Sequence, residues 1–290
     1  CITNKGSIRY CCNYATIDVS VFDDYTPEEA ADNIVLEFHK YWSDPDEESL
    51  APFVETARRL RAPLWMGEGG ENNLQWYTYA FPMYERLGIG WCFWAYKKME
   101  VPNSPVTFEK PRGWDQIIAY LDGREQPSPE DARTAFDGFL ECISRGDYHH
   151  EIVDALIRRP PVEIPAGAYD VEQIHSERRE GVHFRRNSKA TLLFADGHTG
   201  EADWRRYGGE AQPEDQRILL RLSEGDRVGY RLENPENQKI RIHVRSYGDG
   251  ILDVQDLTAG QGLVWITCKS GTADVESLHI RAADDSAETI

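Results

Sequence analysis

The sequence is short of positive charge: 32 Lys and Arg stand against 50 Asp and Glu, a formal net charge of −18 over 290 residues. That balance argues against nucleic acid or an anionic membrane as partner, and most of the excess acid reads as a solvated surface. No apolar run is long enough to span a membrane. The six cysteines, Cys1, Cys11, Cys12, Cys92, Cys142 and Cys268, lack Cys-x-x-Cys spacing and the framework of a small disulfide-rich domain. They read as buried free thiols. There is no internal repeat. No initiator Met and no signal peptide precede Cys1, so the chain reads as starting inside a longer one, and its compartment is not legible from the N-terminus.

What is present is enough for two domains with sizeable cores, since 40% of the residues are hydrophobic. Eight Trp and 14 Tyr exceed what a core needs. Surplus aromatics often serve flat amphipathic ligands such as sugars.

Residues 7–13 form a short strand candidate, and Thr26-Pro27-Glu28-Glu29 caps a brief turn. Residues 33–39 read as a strand ending in His39-Lys40-Tyr41-Trp42. Residues 46–61 read as an amphipathic helix with Leu50, Phe53, Val54, Ala57 and Leu60 on one side. A buried parallel strand, residues 63–66, follows, then a helix over 74–87 closed by Gly88. Residues 89–96 make the next strand. This alternation is parallel α/β logic. Helices are expected over 114–121, 129–144 and 151–158. At Arg159-Pro160-Pro161 the pattern changes to short alternating runs, 183–185, 218–222, 227–232, 239–245, 262–267 and 275–281, separated by turn formers. That spacing indicates a β-sandwich. The expected division is 1–160, 161–283 and an acidic tail, 284–290.

The most informative stretch is Pro63-Leu64-Trp65-Met66-Gly67-Glu68-Gly69-Gly70-Glu71-Asn72-Asn73. An apolar strand gives way to glycines, placing Glu68 where the strand stops and a loop begins. In a β/α barrel that edge is the catalytic face. A phosphate cradle is disfavoured, because Glu68 and Glu71 would repel phosphate and no Gly-Lys-Ser/Thr follows. Three successive strand ends thus carry His39 and Tyr41, then Glu68, then Trp94. Retaining glycosidic cleavage needs a carboxylate nucleophile and an acid/base about 5–5.5 Å apart. It gains from donors that orient the nucleophile and an aromatic platform under the sugar. Taken singly, His39 reads as structural and Trp94 as core, while Glu68 reads as an active-site carboxylate ahead of a structural hydrogen-bonding group. Their recurrence at strand ends favours a site.

These residues resemble glycoside hydrolase family 5, the cellulase-type β/α barrels. Residues 33–42 (NIVLEFHKYW) look like the family's sixth strand, 63–73 like its seventh with the nucleophile on Glu68, and 89–98 (IGWCFWAYKK) like its eighth with the sugar platform on Trp94. Residues 7–22 resemble the fifth strand more loosely. The resemblance implies the C-terminal half of a (β/α)8 TIM barrel and a retaining glycosidase acting on a β-linked polysaccharide, β-1,4-glucan first, with mannan, xylan and β-1,3-glucan as alternatives. It implies substrate contacts at His39, Tyr41, Trp94, Glu71, Asn72, Trp76 and Lys98, no catalytic metal, a monomer, and an extracellular or periplasmic location. The family's Asn-Glu acid/base motif is not found ahead of residue 7, so the chain is expected to be the C-terminal part of an enzyme and not to complete the catalytic cycle by itself. A non-catalytic polysaccharide-binding protein with a relic barrel is the competing expectation. Lys98 is expected to offset nearby acid. Glu71 is expected to turn away from Glu68, to cap the next helix or reach a more distant sugar unit.

The second domain is similar to a family 6-like carbohydrate-binding, jelly-roll-like sandwich. The resemblance rests on residues 164–169 and on Glu224-Gly225-Asp226-Arg227-Val228-Gly229-Tyr230-Arg231-Leu232. It offers Trp204, Tyr207, Tyr247 and Trp265 as stacking groups, each equally readable as packing. A structural calcium is common in such modules, but no ligands are assigned.

Overall fold

The structure, a computed structural model, describes residues 3–4, 7–8, 23–30, 34–235, 238–255 and 262–283. Of the first expected strand only Ser7–Ile8 (β2) lies among them, paired antiparallel with Thr3–Asn4 (β1). Residues 9–22, Asn33 and the tail 284–290 lie outside the described residues. The fold is mixed α/β, with six α-helices among the described residues. Thr26 opens α1 (Pro27–Ala30) with a capping box: its hydroxyl accepts from the Glu29 amide, and its own amide donates to the Glu29 carboxylate at 2.8 Å.

A parallel β–α–β–α–β run follows. Strands β3 (Leu36–Lys40), β4 (Leu64–Gly70) and β5 (Gly90–Trp94) lie side by side in that order, joined through α2 (Ala51–Leu60) and α3 (Leu74–Leu87). The expected start of α2 is a 3-10 turn over residues 48–50, and the α-helix proper begins with Pro52 in its first turn, where a missing N–H costs nothing. α2 buries Phe53, Ala57 and Leu60, the face its spacing predicts.

Strand β4 departs from expectation. It does not stop before the glycines but runs through Gly70. Its register shifts between Met66 and Gly69 against β5, and β3 shifts between Phe38 and His39 opposite it. Gly70 sits at φ +150°, and a Cβ there would collide with the Trp94 carbonyl, so the absent side chain is what keeps β4 and β5 together. Glu68 therefore rides on a bulge inside the strand end, a device that re-aims a side chain.

Helix α3 joins the two halves of the molecule. Its middle is buried on every side, from Trp76 to Phe81 and again at Met83 and Tyr84, while Leu74 and Glu85 reach solvent near its ends. Asn73 caps its start by accepting the Trp76 amide, and Gly88, at φ +67°, closes it as predicted. Tyr77, Phe81 and Tyr84 pack on Phe93, Trp91 and Phe38 of the parallel sheet. Tyr79 packs on Phe184 and Trp204 of the C-terminal region, and one continuous core spans both.

Helices α4 (Trp114–Leu121), α5 (Pro129–Ser144) and α6 (His150–Ile157) match expectation to within a residue. The short strands β6 (Lys97–Met99), β7 (Val106–Phe108) and β8 (Asp147–Tyr148) form a small sheet that no sequence pattern announced.

Beyond Pro160 the chain is antiparallel β. One sheet orders β10 (Val171–Gln173), β13 (Arg227–Leu232), β16 (Gly262–Ser270) and β15 (Ile251–Gln255). The other orders β11 (Thr191–Phe194), β12 (Ile218–Ser223), β17 (Thr272–Ala282) and β14 (Ile240–Gly248), with β9 (Val162–Pro165) also on β17. Residues 183–185 are not a strand: Phe184 is a fully buried plug against Tyr79 and Trp204, which mimics alternation. The thiols also depart from expectation, since Cys268 is buried but Cys142 is only partly covered and Cys92 is exposed.

Candidate functional site

The alternation of β3 places Glu37 and His39 on one face and buries Leu36, Phe38 and Lys40 on the other. In register, His39 pairs with Glu68 and Gly70 with Trp94, so the three strand ends present their groups side by side. The Tyr41 hydroxyl donates to Glu68 Oε2 at 2.6 Å, and His39 Nδ1 lies 3.2 Å from the same oxygen. Oε1 takes neither of these contacts. On its far side His39 Nε2 lies 3.7 Å from Glu37 Oε1. Glu68 remains 30% exposed while His39 is 7% exposed, so the carboxylate is reachable and its orienting group is not. Trp94 is 46% exposed, and its peptide bond to Ala95 is cis.

Behind the site, the buried Lys40 ammonium donates to the Ser43 and Ser49 hydroxyls at 2.8 and 2.7 Å. Burial pushes it down to about 8 against the pull of Asp46 and Asp44. Burial and the neighbouring Asp46 push the Asp44 carboxyl up to about 6, although it accepts the Trp204 indole N–H at 2.9 Å.

The structure sorts the remaining candidates. Glu71 takes the left-handed region at φ 48° and turns its carboxylate to Lys98 Nζ, 2.9 Å away. It does not cap α3; Asn73 does. Lys98 is committed to this pair, with Asn103 Oδ1 at 3.4 Å. Asn72 is fully buried, its Nδ2 donating to the carbonyls of Tyr41 and Trp204, so it ties the two halves together and is out of reach of a sugar. Trp76 is likewise fully buried, its indole donating to the Ser43 carbonyl and its ring meeting Tyr77 and Phe81 edge-on, so it is out of reach of a sugar. Trp204 is 2% exposed and belongs to the same seam. Trp265 is partly covered: Gly229 underlies it and the Arg227 guanidinium lies 3.8 Å from its ring centre. Tyr247 keeps an exposed ring, but its hydroxyl is held by Glu276 and Arg217. Tyr207 is 54% exposed and meets Trp42 edge-on, with ring centres 4.5 Å apart.

Glu37 and Trp42 belong to this constellation and were not singled out from the sequence. Two-residue alternation with His39 was the signal for Glu37. Trp42 had only its place beside Tyr41. Two cavities, of about 700 Å³ and about 510 Å³, lie along the seam between the two halves, and neither is lined by Glu68. Among the described residues no three His, Cys, Asp or Glu side chains gather into a metal-binding group. No helix among them is long and apolar enough to cross a membrane. Compared with protein-family models and with curated proteins, the chain matches none.

Proposed function

We propose that the chain carries the nucleophile side of a retaining glycosidase of the family 5 type, hydrolysing O-glycosyl bonds of a β-linked polysaccharide, β-1,4-glucan first. On this reading the three parallel strands are the C-terminal part of a (β/α)8 barrel, and the sandwich is a carbohydrate-binding-like domain. The protein would work as an extracellular or periplasmic monomer. The observation that carries the reading is that the Tyr41 hydroxyl and the His39 imidazole converge on one oxygen of Glu68 beside an exposed tryptophan. Held through Oε2, the carboxylate keeps Oε1 for attack on the anomeric carbon. The glycosidic C–O bond breaks as the C1–Oε1 ester forms, and the sugar stacks on Trp94.

A natural leaving group needs a proton from a second carboxyl. A dinitrophenolate does not, so a 2-fluoro-glycoside with that leaving group tests Glu68 alone. The expected result is one covalent glycosyl adduct, mapped to Glu68 by peptide mass spectrometry and absent in Glu68→Gln. An adduct on Glu71 or another carboxylate would overturn the assignment. Saturable binding of oligosaccharide without any adduct would favour the binding-protein reading.

A further inference from the structure

We infer that Tyr207, although carried by the C-terminal sandwich, forms a wall of the same sugar cleft as Glu68 and supplies a stacking subsite there. The inference rests on the glycosidase reading above. Three aromatic rings lead outward from the carboxylate. Tyr41, bonded to Glu68, lies 5.4 Å from Trp42, and Trp42 lies 4.5 Å from Tyr207. Exposure rises along the series, from buried Tyr41 through half-buried Trp42 to half-exposed Tyr207. The middle ring is fixed, because its indole N–H donates to the Glu71 carbonyl at 2.9 Å.

Tyr207 is not a loose surface ring. Its carbonyl accepts from Asn103 Nδ2 at 2.9 Å, that of Trp204 from Asn72 Nδ2 at 2.8 Å, and that of Glu210 from Asn73 Nδ2 at 3.1 Å. All three amides belong to the parallel-sheet half. Asn72 and Asn73 directly follow the strand end that carries Glu68 and Glu71, and Asn103 also contacts Lys98, the partner of Glu71. Gly209, at φ +88°, lets the turn sit close to Asn103: a Cβ built there would fall 2.8 Å from the Asn103 Cβ, closer than a side chain permits. The loop is thus anchored to the cleft wall while one flat amphipathic ring stays in water. A pre-set aromatic face loses little freedom when a sugar stacks on it, which is the economical way to build a subsite. Because the ring stands two aromatic residues out from Glu68, it serves the longer substrates.

The test is a fluorescence or calorimetric titration with cellobiose and cellohexaose, using wild type, Tyr207→Ala and Tyr207→Phe, alongside the 2-fluoro-glycoside labelling rate. Tyr207→Ala should weaken cellohexaose binding about tenfold. It should leave cellobiose binding and labelling of Glu68 within about twofold. Tyr207→Phe should behave as wild type, and the melting temperatures of both variants should confirm folding. An equal loss for both sugars, no loss for either, or no sugar binding by the wild type would overturn the inference. Labelling at Glu68 with cellohexaose binding unaffected by Tyr207→Ala would sink the subsite alone. A length-dependent loss without labelling at Glu68 would sink the glycosidase reading and leave the cleft wall standing.

Discussion

In the sandwich, Trp265 lies beneath an arginine and Trp204 is buried against Asp44, whereas at the end of the parallel sheet Trp94 stands nearly half exposed beside a carboxylate. The acids differ in the same way. Asp274 is held by Arg221 through two bonds of 2.7 Å, and Glu276 by Arg217 through bonds of 3.0 and 2.9 Å. Burial alone would raise the Glu276 carboxyl, but the bonds from Arg217 and Tyr247 outweigh it and hold it below the usual range. Glu68 meets a hydroxyl and an imidazole instead. A guanidinium fork would spend both carboxylate oxygens, while a single hydroxyl orients one and spares the other. The sandwich thus uses its rings and charges to hold itself together, and the sheet end leaves a ring and a carboxylate uncommitted.

The largest effect that separates the two regions is expected at Glu68. In an enzyme completed with its acid/base half, Glu68→Gln keeps the shape and removes the charged nucleophile, so turnover should fall by several orders of magnitude while oligosaccharide binding survives. Steady-state kinetics and titration on one preparation measure both. A variant retaining a tenth of the activity would place the chemistry elsewhere.

The next prediction asks whether the two regions are one cooperative unit. Arg158 is buried between them, donating to the Thr78 and Ala168 carbonyls and to Asp170 Oδ2 at 2.6 Å. Arg158→Met leaves the buried Asp170 carboxylate with the Arg231 amide at 2.6 Å and Arg86 at 3.6 Å but without its close guanidinium partner, and should cost about 3–5 kcal/mol in urea unfolding. The wild type should unfold in one transition, since α3 belongs to both halves. Two resolved transitions in the wild type, or a loss under about 1 kcal/mol, would show that the seam is not held there.

Much of this organisation was legible because its causes are local. Gly88 closes α3 by backbone chemistry that any sequence window contains, and Arg227–Leu232 alternates between two turns, whereas the Asn73 cap was passed over in favour of Glu71. The bulge at Glu68 was hidden, because it depends on how β4 meets both neighbours. Asn72 was misread as a substrate contact for a related reason, while Trp204 was left open between stacking and packing. Both are buried where the two halves meet, a contact across more than a hundred residues. Glu37 was readable by alternation with His39 and was passed over. Tyr207 was left open between stacking and packing, and its position beside Trp42 follows only from the folded seam.

A smaller effect should separate the two tryptophans. Trp94→Ala should weaken sugar binding by about 1–3 kcal/mol with little change in melting temperature. Trp265→Ala should lower the melting temperature and leave binding alone, because Arg227 already occupies its exposed face. The reverse pattern would mean that the sandwich holds the main sugar site.

The smallest effect concerns Asp44, where the two regions touch through the Trp204 indole. Its folded pKa, about 6, lies above its ordinary value of 3.8 because burial and Asp46 disfavour the charged form. Between those values the folded state binds more protons than the unfolded one, so acid favours folding in that window. The stabilisation is full below about pH 4 and is lost as pH rises through about 6. Asp44→Asn keeps an oxygen for the Trp204 N–H but carries no charge at any pH. The variant should therefore match the wild type near pH 4 and gain on it above pH 6, by on the order of 1–2 kcal/mol after allowing for the partial exposure of the carboxyl. Paired unfolding curves across that range measure the gap. Lys40, pushed down to about 8, stays largely protonated over this window and does not mask it. A gap that is constant with pH, or that closes as pH rises, would show that Asp44 is charged at no cost in the folded seam.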